Sequence, residues 1–182
     1  MLINQFCNYW YNVYEILILG ATGMLGHTIF YYFDNKREYE VYSTVRNETE
    51  LQKYFPVEMQ QKIYSGVVAD KINSIIKVIE QIKPDVVINC IGIIKQLKEA
   101  KDSIISIKIN SLFPHQVAEI CKKNNCRMIH ISTDCVFSGK AGSYKEEDFA
   151  DANDIYGRTK YLGEVNYPNS VTLRTSIIGH EL

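Results

Sequence analysis

Glu15-Ile-Leu-Ile-Leu-Gly-Ala-Thr-Gly-Met-Leu-Gly-His-Thr-Ile29 is the stretch whose reading decides the fold. Ile16 to Leu19 form an uninterrupted apolar run, the pattern of a strand buried on both faces of a parallel sheet. The run stops at Gly20, and from Met24 onward the spacing reads as an amphipathic helix. Glycines at 20, 23 and 26 give G-x-x-G-x-x-G between strand and helix. Gly20 would allow the tight turn, Gly23 would let backbone N–H groups approach a pyrophosphate, and Gly26 would let the helix lie close to the strand. A phosphate would then sit at the positive end of the helix. The first interval departs by one residue from the dinucleotide fingerprint G-x-G-x-x-G, and a plain strand–helix turn is the competing reading. Thr22, Met24 and Leu25 lie in the same turn and join the three glycines as expected cofactor contacts.

Outward from this stretch, apolar strands alternate with helical segments, the pattern of βαβ units and a parallel sheet. Strands are expected near 15–19, 40–45, 62–65, 85–89, 127–132 and 170–174. Helices are expected near 23–33, 48–54, 71–82, 102–124 and 154–166, with a kink at Pro114. The expected fold class is therefore α/β, a Rossmann-type doubly wound parallel sheet of about six strands with helices on both faces. Gly139, Gly142 and the acids Glu146, Glu147, Asp148, Asp151 and Asp154 mark 138–153 as an exposed, mobile loop.

Two further segments carry chemistry. Met128-Ile-His-Ile-Ser-Thr-Asp-Cys-Val-Phe-Ser-Gly139 runs from an apolar strand into Thr133, and open α/β sheets bind ligands beyond the carboxyl ends of their strands. Thr133 could hydrogen-bond a substrate carbonyl there, or simply satisfy loop backbone. Asp154-Ile-Tyr-Gly-Arg-Thr-Lys-Tyr-Leu-Gly-Glu164 places Tyr156 and Lys160 four apart, one turn along one helix face. An ammonium beside a phenol lowers the phenol pKa, giving a proton donor usable near neutral pH. In a chain with 13 Tyr and 20 Lys+Arg the pair alone also fits two solvated surface residues.

Taken together, Gly20–Gly26, Ile-Asn-Cys-Ile-Gly (88–92), Ser-Thr-Asp-Cys-Val-Phe-Ser-Gly (132–139) and Tyr-Gly-Arg-Thr-Lys-Tyr-Leu-Gly-Glu (156–164) resemble the extended short-chain dehydrogenase/reductase superfamily, and within it the dTDP-4-dehydrorhamnose reductase family. The resemblance covers about residues 15–181. It implies NADPH-dependent reduction of a 4-keto-6-deoxy nucleotide sugar, with Tyr156 as proton donor, Thr133 as hydrogen-bond donor and Lys160 holding the nicotinamide ribose. It further implies that Asp70 contacts adenine, that Asn89, Cys90, Ile91 and Gly92 line the cofactor channel, and that Asn110 helps organise a proton relay. An N-cap explains Asp70 equally well, and a buried, satisfied amide explains Asn110. Two alternatives remain: a non-catalytic NADP-binding subunit like the regulatory subunit of methionine adenosyltransferase, and a nucleotide-sugar epimerase or dehydratase.

The second strand selects the cofactor. Its end reads Ser43-Thr-Val-Arg-Asn47, with Glu38 and Glu40 ahead of it or at its start. Ser43 and Arg46 suit a 2′-phosphate with no competing acid, so NADP(H) is expected over NAD(H).

Composition bounds the rest. A chain of 182 residues, 46% hydrophobic and 23% charged, is ordinary for one soluble domain. Net charge −1 gives no reason to expect nucleic acid or an anionic membrane as partner. Five cysteines without C-x-x-C argue against a disulfide or metal framework and fit a reducing cytoplasm. No apolar run reaches the roughly 18 residues that span a bilayer. Residues 1–14, uncharged and holding the only Trp, are expected to be an N-terminal extension to a dinucleotide-binding domain over 15–182. The family is longer and carries a C-terminal substrate lobe, which is expected to be missing after Leu182. Homodimers are frequent among such proteins, so a homodimer is a candidate assembly.

Overall fold

The computed structural model describes residues 13–97, 102–177 and 179. The expected extension therefore lies outside the described residues save for Val13 and Tyr14, and Tyr14 already opens the first strand. The six strands are β1 (Tyr14–Leu19), β2 (Tyr39–Thr44), β3 (Ile63–Tyr64), β4 (Val86–Asn89), β5 (Arg127–Thr133) and β6 (Ser170–Thr175). They form one sheet in the order β3-β2-β1-β4-β5-β6, and every pairing is parallel. This is the doubly wound topology that the alternation of elements predicts.

The continuous apolar run of β1 is explained by its two neighbours and two covers. Leu17 and Leu19 point into a core shared with α4 (Ile72–Ile82) and α6 (Phe113–Lys123), through Ile75, Ile79, Phe113 and Val117. Ile16 and Ile18 point the other way, to Phe30 of α1 (Met24–Asp34), Leu51 of α2 (Glu48–Tyr54) and Phe55. Alternate side chains of one strand thus bury on opposite faces. Each such fully buried side chain contributes about 1.5–3 kcal/mol of transfer free energy. Among the described residues no helix is long and apolar enough to cross a membrane.

Two elements depart from expectation. A short helix α3 (Val57–Gln60) follows Pro56, which presets the backbone for a helix start. The long helix expected over 102–124 is composite. It opens with α5 (Ser103–Ser106), capped by Asp102 accepting from Ile104 N and Ile105 N, passes through a π-helical turn Ile107–Leu112, and continues as α6. Pro114 sits in the first turn of α6, directly after the π-helical turn, where its missing N–H leaves a carbonyl of that turn without its helical donor. The irregularity next to Pro114 is thus absorbed as a widened turn, and such turns recur at functional sites.

Candidate active site

The sheet order reverses between β1 and β4, so their carboxyl ends splay apart and open the crevice where ligands bind in such sheets. Gly20 leaves β1 with φ +92°, a conformation costly to any side chain, and an added Cβ would come within 2.9 Å of Ile91 Cγ1. Gly26 packs against the carbonyl of Gly20, so α1 lies directly on the turn. Gly23 is the N-cap of α1 without a side-chain cap, and a Cβ there would meet only Gly20 O, at 3.6 Å. The leading N–H groups of α1, from Met24 onward, therefore have no side-chain capping oxygen, and there is room beside Gly23. These are the donors and the room that a pyrophosphate requires. The cradle fits a dinucleotide. Thr44, unremarked in the sequence, fixes it: Gly20 N donates to Thr44 Oγ1 at 3.1 Å.

Ser43 does not reach this cradle. It is fully buried, and its hydroxyl donates to Ile18 O at 2.9 Å. Pleating turns Ser43 inward with Val41, which removes it as a phosphate ligand. Arg46 is exposed beyond the strand but is not free of acids, because its Nη2 pairs with Glu50 Oε1 at 2.6 Å and its N–H donates to Glu50 Oε2 at 3.2 Å. Asn47 caps α2 by accepting from Glu50 N, and α2 delivers Glu50 to Arg46. The i, i+4 relation across the helix start carries this signal in the sequence. Asp70 does not cap α4; the N-cap is Lys71, with no side-chain bond. Ser74 does the local work instead, accepting from Val68 N and donating to Lys71 O. Asp70 lines an open cleft of about 720 Å³ with Gly66, Lys71 and Lys77.

On the β4 side, Cys90, Ile91 and Gly92 form a half-buried segment pinned at both ends. Asn89 is fully buried and takes Ile91 N on its Oδ1 at 3.1 Å while its amide meets His130 Nδ1 at 3.1 Å. Burial holds that imidazole neutral, its pKa lowered to about 3. Asn89 thus supports the channel wall from behind rather than lining it. Asn110, in the π-helical turn, grips Ile93 from the other side, accepting from its N–H at 2.8 Å and donating to its carbonyl at 3.0 Å. A Cβ on Gly92 would lie 3.4 Å from Asn110 Oδ1 and 3.7 Å from Lys160 Nζ, so Gly92, Asn110 and Lys160 converge.

The remaining groups come from β5 and α7 (Ile155–Leu162). Thr133 ends β5, caps the following 3₁₀ turn by accepting from Cys135 N, and donates to Asp134 Oδ1 at 3.2 Å. Asp154 caps α7 through Gly157 N and takes Lys95 Nζ on its other oxygen at 2.8 Å. Gly157 lies against the Cys135 carbonyl, and Gly163 against that of Asn110. α7 is thereby seated tightly enough to bring the Tyr156 phenol near the Thr133 hydroxyl. Burial raises the Tyr156 pKa, with the Thr133 hydroxyl opposing it and the nearby Cys135 and Asp134 adding to it. The expected lowering by Lys160 is absent. Lys160 is buried, its Nζ donating to Ile131 O at 2.7 Å, and desolvation lowers its pKa to about 8 against the opposing pull of Glu164 and Cys90.

The segment 138–153 is mostly exposed and without helix or strand, as expected, and it is internally hydrogen-bonded. Ser138 donates from its N–H to Asp151 Oδ1 at 2.7 Å and from its hydroxyl to Asp151 Oδ2, and Phe137 stacks on Tyr144 at 4.5 Å. Cys90, Cys121, Cys126 and Cys135 are free thiols, and Cys7 lies outside the described residues.

Over residues 14–179 the chain matches the family model described as the RmlD substrate binding domain. It belongs to that family. The RmlD-family chain is similar to the dTDP-4-dehydrorhamnose reductase of Aggregatibacter actinomycetemcomitans, 28% identical over 169 residues, which cover 89% of this chain and 51% of that protein. It is also similar to methionine adenosyltransferase 2 subunit beta of Bos taurus, 25% identical over 155 residues, covering 82% of this chain and 41% of that one. Among solved structures it is similar to dTDP-4-dehydrorhamnose reductase from Bacillus anthracis in complex with NADP, with TM-score 0.65 and 25% identity over 82% of this chain and 47% of that one. The chain spans about half the length of the curated relatives it matches.

Proposed function

We propose that the chain carries the cofactor-binding and proton-donating machinery of an NADPH-dependent reductase acting on the keto group of a 4-keto-6-deoxy nucleotide sugar. The observation that carries this reading is that α7, seated by Gly157 against the Cys135 carbonyl, brings the Tyr156 phenol to the end of β5 beside Thr133. A module that only binds a dinucleotide has no need of an aligned proton donor. When bound, NADPH supplies the hydride.

The residues supply the rest. The uncapped start of α1 and the glycine turn hold the pyrophosphate. Gly92 and its supports shape the wall beside Lys160. Negative charge develops on the carbonyl oxygen as its carbon is reduced, and Tyr156 gives that oxygen its proton while Thr133 donates a hydrogen bond. A phenol whose pKa is raised by burial stays protonated at neutral pH, which suits an acid awaiting reduction. Lys160, resting on Ile131 O, would exchange that carbonyl for ribose hydroxyls. Arg46, exposed at the end of β2, favours the 2′-phosphate of NADPH once it leaves Glu50.

The test is a fluorescence titration of the protein with NADPH and NADH, followed by NADPH oxidation with 4-keto-6-deoxy nucleotide sugars. Tighter binding of NADPH and consumption with at least one such sugar are expected. A second reading, a non-catalytic cofactor-binding subunit, is supported by the likeness to methionine adenosyltransferase 2 subunit beta. Binding without any turnover would select it.

A further inference from the structure

The last strand brings a partly buried cation to the edge of this site. Arg174 of β6 donates from Nε to Glu164 Oε1 at 2.8 Å and from Nη2 to Glu164 Oε2 at 2.7 Å, a two-pronged pair that excludes most solvent from both partners. Glu164 lies just past the end of α7, four residues after Lys160, and also accepts from Ser132 Oγ at 2.8 Å. Ser132 is the residue before Thr133. In the other direction Arg174 Nη1 donates to Glu146 O at 3.1 Å, and its guanidinium lies 5.0 Å from the centre of the Phe137 ring, which stacks on Tyr144. One ion pair therefore ties together β5, β6, the end of α7 and the segment that follows Phe137.

We propose that Glu164 and Arg174 are a positioning pair for the reaction. They hold Ser132, and through it Thr133, against α7, and they fix the segment 137–151 as the substrate-side wall of the crevice. Neither touches the reacting atoms. Their contribution rests on the reductase reading above, because it is the register of Thr133 against Tyr156 that they set. Displacement of a reacting group by about an ångström costs up to a hundredfold in rate. The pair has no contact with the glycine turn or with Arg46, and it reaches the cofactor side only through the pull of Glu164 on Lys160, which Arg174 does not share. Lysine cannot replace the arginine, since an ammonium lacks the fork that spans both carboxylate oxygens.

The test compares Arg174→Met, Glu164→Gln and the double variant. Expected in each variant is a rise in KM for the keto sugar of about tenfold with a fall in kcat, and in Arg174→Met, which leaves the neighbour of Lys160 in place, an NADPH dissociation constant within about twofold of wild type. Glu-specific proteolysis should cut after Glu146 or Glu147 about tenfold faster in each variant, and the double variant should be no worse than the worse single one. Where Arg174→Met does not fold, Arg174→Lys replaces it and should also be cut faster. Wild-type cleavage rates in the folded variants would overturn the proposal. So would parallel loss of NADPH affinity and kcat at unchanged KM, since that is the mark of a merely structural pair. If wild-type protein consumes NADPH with no keto sugar, the reductase reading falls, and the cleavage rates alone decide the pair.

Discussion

Lys160 gives its ammonium to the carbonyl oxygen of Ile131 at 2.7 Å, although Tyr156 lies one turn before it on α7. The two residues share a helix face, yet the amine is buried against β5 and the phenol pKa goes up rather than down. Burial thus keeps the phenol protonated and holds the ammonium on a strand carbonyl.

Storing a cation in this way has a measurable stability signature. Below about pH 8 Lys160 is charged in the folded and unfolded chain alike, and the folded state bears the whole desolvation cost. Between about 8 and the ordinary lysine value of 10.5 the folded chain gives up its proton first, so the cost is relieved as pH rises. Lys160→Met should therefore melt higher than wild type at pH 7, with the gap closing by pH 10. Melting curves at the two pH values check this; a gap that does not change with pH refutes it.

Tyr156→Phe removes one hydroxyl from a pair and leaves the glycine turn untouched. Turnover should fall by about 10²–10⁴-fold, the usual contribution of a positioned acid, while NADPH binding persists. Stopped-flow oxidation and fluorescence titration of the same preparation measure both. Near wild-type reduction by this variant would remove Tyr156 from the proton-donor role.

Arg46 and Glu50 make a prediction of opposite signs. The exposed ion pair contributes at most about 1 kcal/mol, so Glu50→Gln should free Arg46 and tighten NADPH binding about two- to fivefold. Arg46→Ala should weaken NADPH binding with NADH affinity unaltered. Equal affinity of wild-type protein for the two cofactors would undo the assignment.

Asp154 serves two neighbours at once, capping α7 through Gly157 N and pairing with Lys95. Asp154→Ala should lower stability by about 1 kcal/mol, the usual cost of losing an N-cap. The Gly157 bond and Lys95 hold the Asp154 pKa below its ordinary value of 3.8. Its contribution is therefore present above that value and fades as pH falls below it. Denaturant titrations of both proteins at pH 7 and pH 3 should show the difference shrinking in acid.

β1 and β4 were legible because each is an apolar run bounded by turn residues, and the crevice because Gly20 and Gly23 separate β1 from α1. Spacing put Tyr156 and Lys160 one turn apart on α7, and the end of an apolar segment put Thr133 at the close of β5, where the fold has them. What the pattern could not carry was side-chain direction. Ser43 reads as a polar strand end, and only the register of β2 against β1 sends its hydroxyl to Ile18 O. Glu50 reads as a helix surface acid until the Asn47 cap sets where α2 begins. The π-helical turn at Ile107–Leu112 adds a residue to one turn without altering composition, so a periodicity count passes over it. Arg174 sits in a strand whose neighbouring apolar residues, Val171 and Leu173, are both about half exposed, and nothing local marks it as the partner of Glu164.

The contact of Gly26 with the Gly20 carbonyl binds two fates together. The same few atoms that leave room for a dinucleotide also decide how near the first helix may come to the first strand. A methyl group there would pry the layers apart and close the entrance in a single stroke. Libraries selected only for thermal robustness should on this account retain glycine at 26 as stringently as libraries selected for turnover.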